Sequence, residues 1–254
     1  GLLLAALVLA PLREPRRGLA DGIGTDGEAP SASDVVAFLW RSRSFRHTSL
    51  GSALYAFVGY SVVTWAPSFL ERSHGMASGE IGTWLAMIFG IGGGIGVLAG
   101  GALSDRWAVS DERGRAWVPF LAMLAAFPFS FVIYLTENTP LALLTLAAPS
   151  IFGLMYQAPA FAITQALATP NMRATAAAVL LFVINIIGLA VGPAATGALS
   201  DLLEPRFGED SLRYALLAVS MVLAWAAFHF WRAAHTLEDD MRRAARAARR
   251  ELES

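Results

Sequence analysis

The chain of 254 residues has no cysteine, no lysine and only four histidines. Without cysteine there is no disulfide framework, no thiolate nucleophile and no Cys-rich metal site. Neither HExxH nor Gly-x-Ser-x-Gly occurs, so an intramembrane protease or acyltransferase would lack its metal pair or its activated nucleophile. These absences predict a protein that is not an enzyme and that takes no cofactor and no metal. Charge is scarce as well: 15% of the residues are charged, against about a quarter in an average soluble domain. A formal net charge of -1 carries no basic footprint for nucleic acid, and no nucleic-acid partner is expected. What the chain has in quantity is apolar surface, 56% hydrophobic residues with a mean hydropathy of +0.53, the composition of a membrane protein.

The stretch Gly90 to Asp105, GIGGGIGVLAGGALSD, organises the rest. Seven glycines fall in its first twelve positions, and it ends on the polar stop Ser104-Asp105-Arg106. Each interior glycine costs a soluble helix roughly 1 kcal/mol relative to alanine. In a bilayer the same glycines let two helix backbones approach closely, while the lipid compels the helix to keep its own hydrogen bonds.

Six apolar runs have spanning length: Thr48 to Leu70, Ile81 to Leu103, Trp117 to Leu135, Leu141 to Gln165, Ala174 to Leu199 and Leu212 to Phe230. Trp65, Trp84, Trp117, Tyr134, Tyr214 and Trp231 lie near run ends, as interfacial belts require. Alternating sides places sixteen arginines on one face of the membrane and only Arg72, Arg206 and Arg213 on the other. The arginine-rich face is predicted to be cytoplasmic, with both chain ends there. Residues 1–18 read as the end of a preceding span closed by Arg13-Glu14-Pro15, 19–47 as a cytoplasmic linker, 48–232 as the bundle and 233–254 as a solvated cytoplasmic tail. Within the linker, Val35, Val36, Leu39 and Trp40 share one helical face, which suits a helix lying on the membrane or packed on the bundle.

The pentapeptide Gly101-Ala102-Leu103-Ser104-Asp105 returns as Gly197-Ala198-Leu199-Ser200-Asp201. One copy ends the second run and the other ends the fifth, the middle members of two triplets that point oppositely through the membrane. That pattern predicts an all-α membrane fold built from two inverted three-helix repeats.

Gly101-x-x-x-Asp105-Arg106 followed by Arg113-Gly114-Arg115 resembles the loop motif of the major facilitator superfamily, here carrying the insertion Trp107 to Glu112. Gly188-x-x-x-Gly192-Pro193-x-x-x-Gly197 resembles the glycine-proline motif of that superfamily's gating helix. Arg13 to Gly18, Trp65-Ala66-Pro67-Ser68-Phe69-Leu70 with Arg72 to Gly75, Met172 to Ala176, Asn185 to Gly188 and Gly208 to Tyr214 resemble the spinster-like branch. The resemblance implies a six-helix half of that fold, helices seven to twelve, partnered by an N-terminal six-helix half. It also implies alternating access for an amphiphilic or lipid-like substrate such as a lysolipid or sphingoid compound, or another organic anion. Sugars, drugs and organic acids are the alternative cargo.

In such a fold the first helix of each triplet lines the cavity. Tyr60 and Thr64 share a face on the first run, with Tyr55 and Ser61 beside them. On the fourth run Ser150, Gly153, Gln157, Ala160 and Thr164 form a small or polar stripe with Tyr156 at its edge, and Asn185 sits mid-span in the fifth. These give the substrate candidates Tyr55, Tyr60, Ser61, Thr64, Tyr156, Gln157, Thr164 and Asn185. Gly101, Asp105, Arg106, Arg113, Arg115, Gly192 and Pro193 are the gating candidates, with a charge latch between Asp105 and the arginines. No Asp, Glu or Arg stands in the middle of any run, so proton-coupling carboxylates are expected outside these six helices.

Overall fold

Serine, asparagine and glycine set where the helices begin and stop. The computed structural model describes residues 30–253; the expected end of a preceding span over 1–18 and the first part of the linker lie outside the described residues. Helix α1 (Ala32–Arg41) starts at Ser31, whose hydroxyl accepts from the Asp34 N–H, and α2 (Arg43–His74) starts at Ser42, which accepts from the Phe45 N–H. Gly75, at φ 64°, closes α2 in the left-handed conformation that side chains avoid. Then come α3 (Ser78–Ala108), α4 (Gly114–Leu135) and α5 (Thr139–Leu167), the last opened by Asn138 and broken at Met155 and Tyr156. Helix α6 covers 173–207, and α7 covers 211–253 with an interruption at Met221.

Among the described residues, five continuous helical stretches are long and apolar enough to cross a membrane: α2, α3, α4, α5 and Pro170–Arg246. The last has 77 residues and as one straight helix would run about 115 Å. It reverses instead at Gly208, φ 56° and ψ -129°, and the Ser200 and Ser211 hydroxyls meet at 3.2 Å across the turn. It therefore contains two antiparallel crossings, and each of the six apolar runs falls in one of α2 to α7.

The two triplets, α2–α4 and α5–α7, pack crosswise. The middle and third helices of each lie against the first helix of the other: α3 and α4 on α5, α6 and α7 on α2. The glycines explain the closeness. A Cβ on Gly100 would stand 2.5 Å from the Met155 Cα of α5, and one on Gly96 would overlap the Ile151 carbonyl oxygen. On the other side, Cβ atoms on Gly188 and Gly192 would stand 2.5 Å from the Ala56 Cβ and the Phe57 carbonyl oxygen of α2. The offset relating the two pentapeptides carries Gly92, Gly96 and Gly100 onto Gly188, Gly192 and Thr196, and buried Ser104 onto buried Ser200. Both middle helices also contain a π-helical segment of seven residues, Ala86–Gly92 in α3 and Asn185–Val191 in α6. The fold is two inverted three-helix repeats, and the repeat extends well beyond the pentapeptide.

Among the described residues, the arginine-flanked segments around Phe45, Ala116, Ala176 and Ala233 gather at one end. Val35 and Leu39 of α1 are buried against Phe45, Ile163, Ala176, Ala233 and Leu237, so α1 packs on the bundle, with Val36 and Trp40 left exposed. The expected solvated tail is corrected over its first turns, where Leu237 and Asp240 are buried. The Asp240 carboxylate accepts from the Ser44 N–H at 2.7 Å and the Ser42 hydroxyl at 2.9 Å, placing an anion on the N-terminus of α2. One turn deeper, His47 and His229 bring their Nδ1 atoms to 2.9 Å. One ring must donate and the other accept, so the bond exists only while at least one ring is neutral. Trp225 and Phe228 pack around the pair, and Arg46 and Arg232 are the charged groups beside it. The unfolded chain can protonate both rings while the hydrogen-bonded pair must keep one neutral, so acidification from about pH 7.5 to about pH 5 is expected to lower the thermal midpoint by about 2–4 °C. His229→Gln should flatten that response, and an unchanged pH response in the variant would refute the pairing.

Candidate functional site

A cavity of about 280 Å³ opens among α2, α4, α5 and α7, with Phe89 of α3 at one wall. Tyr55 and Tyr60 reach it from α2, Ser130 and Tyr134 from α4, Ser150, Tyr156 and Gln157 from α5, and Ser220 from α7. None of its lining residues is charged. The Tyr55 and Tyr156 rings lie 4.9 Å apart, centroid to centroid, and Tyr55 fits only because Gly153 has no side chain: a Cβ there would come within 2.5 Å of the phenol ring. Ser150 donates at 2.7 Å to the Ile88 carbonyl, inside the π-helical segment of α3 where the regular ladder is disturbed, and so ties α5 to α3.

The structure brings Tyr55, Tyr60, Tyr156 and Gln157 together and places the other four candidates elsewhere. Ser61 is buried with its hydroxyl donating to the Phe57 carbonyl at 2.7 Å, beside Gly192 of α6. Thr64 is exposed one turn beyond Tyr60 along α2 and does not line the cavity. Thr164 is fully buried, donating to the Ala160 carbonyl at 2.8 Å, and the Asn185 amide donates to the Leu181 carbonyl at 2.8 Å. Tyr134, which its place near a run end assigned to an interfacial belt, is buried in the bundle edge-on to Phe69. Its cavity position carries no sequence signal, because α4 is a third helix and only first helices were expected to line the site.

The gating candidates lie on two different surfaces. Gly192 and Pro193 sit at the contact of α6 with α2, where the Trp65 Nε1 donates to the Pro193 carbonyl at 2.9 Å. Gly101 faces Ala158 of α5. Asp105 and Arg106 are exposed at the end of α3 and have no ion-pair partner among the described residues. Arg113 pairs instead with Asp111 at 3.0 Å and Arg115 with Glu112 at 2.6 Å, both carboxylates belonging to the inserted stretch. The hydrogen bond from Arg113 holds the Asp111 carboxyl below the usual carboxylate range.

An uncharged cavity between crossed, pseudo-symmetric helix triplets defines a class, the polytopic helical membrane proteins of repeat architecture. The chain belongs to the Major Facilitator Superfamily, whose family model matches residues 1–193. An MFS-type efflux pump of Mycolicibacterium smegmatis is 35% identical over 246 residues, which is 95% of this chain and 56% of that protein. A sphingosine-1-phosphate transporter of Danio rerio is 26% identical over 268 residues, covering 97% of this chain and 53% of that one. Among solved structures, a bacterial homologue of the human lysosomal transporter spinster, inward-facing and unoccupied, matches with a TM-score of 0.72 at 25% identity over 94% of this chain and 57% of its own. Both the superfamily and the spinster-like resemblance expected from the motifs are thus found. The chain spans about half the length of the curated relatives it matches.

Proposed function

We propose that these helices form one half of a secondary active transporter that works by alternating access, and that the tyrosine-lined cavity holds part of an amphiphilic substrate of the lysolipid or sphingoid type. The observation that carries the reading is the cavity wall. Four tyrosines and three serines with Gln157 supply aromatic faces and a few hydrogen-bonding groups, and nothing there meets a full charge. An apolar tail with a hydroxyl or amide near it suits such a wall; a carboxylate or a cationic dye would be desolvated without a partner. A charged headgroup would be met outside this cavity, by a second six-helix half. That half would also carry the carboxylates if transport is coupled to protons. The chain would sit in a bacterial inner membrane with its arginine-rich end on the cytoplasmic side.

The test is flux through the intact protein in proteoliposomes, using a labelled lysolipid panel with and without an imposed pH gradient, against a sugar and a cationic dye. Lysolipid movement is expected, reduced about fivefold by Tyr60→Ala or Gln157→Ala, the loss of one hydrogen bond's worth of binding. Sugar or dye movement without lysolipid flux would reject the substrate class.

A further inference from the structure

A second cavity, of about 550 Å³, lies on the outside of the bundle where α3, α4 and α5 meet. Its walls are Leu103, Val118, Leu121, Ala122, Phe152 and Met155, with Arg106 as its one charged member. Its mouth is apolar and open, with Leu103 and Leu121 each 47% exposed, and its floor is formed by the buried Val118, Ala122 and Met155. Depth orders the chemistry. Helix α3 leaves its apolar run at Ser104-Asp105-Arg106, so the Arg106 guanidinium stands where the bilayer turns from hydrocarbon to headgroups, and Trp107 beside it is the residue type favoured at that level. The groove continues from there along α4 past Leu121 to Ala125, on the hydrocarbon side.

Arg106 is also the arginine whose charge the surrounding loop leaves unanswered. Arg113 and Arg115 are held by Asp111 and Glu112, the two carboxylates of the inserted stretch. Asp105 is adjacent in sequence, but neighbouring residues on a helix point about 100° apart, and Asp105 does not line the groove. The Trp107 ring is seated against Gly114, where a Cβ would come within 2.5 Å of it, so the rim of the groove is fixed rather than a loose side chain.

We propose that this groove is a phospholipid site, with one acyl chain lying along Leu121, Ala122 and Phe152 and the lipid phosphate on Arg106. An arginine at headgroup depth above an apolar channel matches the two ends of a phospholipid, and a guanidinium binds a phosphate through parallel charge-assisted hydrogen bonds. The site is separate from the tyrosine-lined cavity and does not rest on the transport reading.

Intact protein purified in mild detergent from membranes, or from nanodiscs of mixed phosphatidylglycerol and phosphatidylcholine, is expected to retain phospholipid detectable by mass spectrometry. Arg106→Gln should lower retention about fivefold, as should Ala125→Trp, which fills the channel while leaving the charge in place. Arg113→Gln, whose partner is Asp111, should leave retention unchanged. A photo-crosslinking side chain at Leu121 should form phospholipid adducts. Equal retention in Arg106→Gln and the parent, or adducts of Leu121 with polypeptide instead of lipid, would overturn the proposal.

Discussion

Gly100→Ala is expected to cost the bundle about 3 kcal/mol or more, whereas Gly94→Ala in the same helix should be neutral or slightly stabilising. Helix propensity alone favours alanine at both sites by about 1 kcal/mol, so it cannot separate them. Their surroundings can. Nothing lies within 4 Å of a Cβ built on Gly94, but one on Gly100 stands 2.5 Å from the Met155 Cα and 2.7 Å from its carbonyl carbon. Carbon atoms prefer about 3.5–4.0 Å, so α3 and α5 would have to part by roughly 1 Å. The obstacle is backbone, which cannot rotate aside as a side chain would. Parting there also loosens the contacts of Gly96 with Ile151 and of Gly92 with Ser150 along the same face. By the pseudo-symmetry, Gly192→Ala should act in the same direction, its Cβ meeting the Phe57 carbonyl oxygen of α2 at 2.5 Å. Thermal midpoints of the detergent-solubilised protein, followed by size-exclusion fluorescence, would decide it. Equal midpoints for Gly94→Ala and Gly100→Ala would mean that the glycine face is not a close backbone contact.

That contact was the most legible part of the chain, because glycines in an apolar run have little use in lipid other than letting a neighbour approach. The repeat was legible only where side chains repeat; the matching glycine register and the paired π-helical segments were not, since a single extra residue per turn leaves no mark on an apolar sequence. The cavity was half legible for a related reason. On α2 the wall includes Tyr55, Gly59, Tyr60 and Val63, while Ser61 lies against α6 and Thr64 falls outside. Helical spacing predicts which residues share a face, but not which face a neighbour covers. Polarity is a poor guide inside a membrane helix, because a short hydroxyl or amide satisfies itself on the carbonyl four residues back, as Ser61, Thr164, Asn185, Thr196 and Ser220 all do. The expected latch around Asp105 was read from a motif whose arginines normally follow it closely. Here the inserted stretch supplies Asp111 and Glu112, which take Arg113 and Arg115 first.

The same reasoning makes Gly153→Ala the sharpest test of the cavity itself. The Tyr55 hydroxyl occupies the place of the missing side chain, and its ring is confined by Tyr156 on one side and by Gly59 on the other. A methyl group at 153 must therefore either separate α5 from α2 or push the phenol toward the lumen of a cavity of only about 280 Å³, roughly nine water volumes. Overpacking of this kind costs about 1–3 kcal/mol, and a displaced phenol would exclude substrate, so flux is expected to fall about tenfold. Tyr55→Phe in the same chain removes the atom that reaches deepest into the Gly153 site. The double variant should recover part of both losses, with an interaction energy of about 1 kcal/mol in the cycle. If the two substitutions were strictly additive in thermal midpoint and in flux, Tyr55 would not be seated on Gly153 and the cavity wall would need another arrangement. Recovery of the midpoint without recovery of flux would separate the roles: Gly153 would set the spacing of α2 and α5, and the Tyr55 hydroxyl would itself contact the substrate.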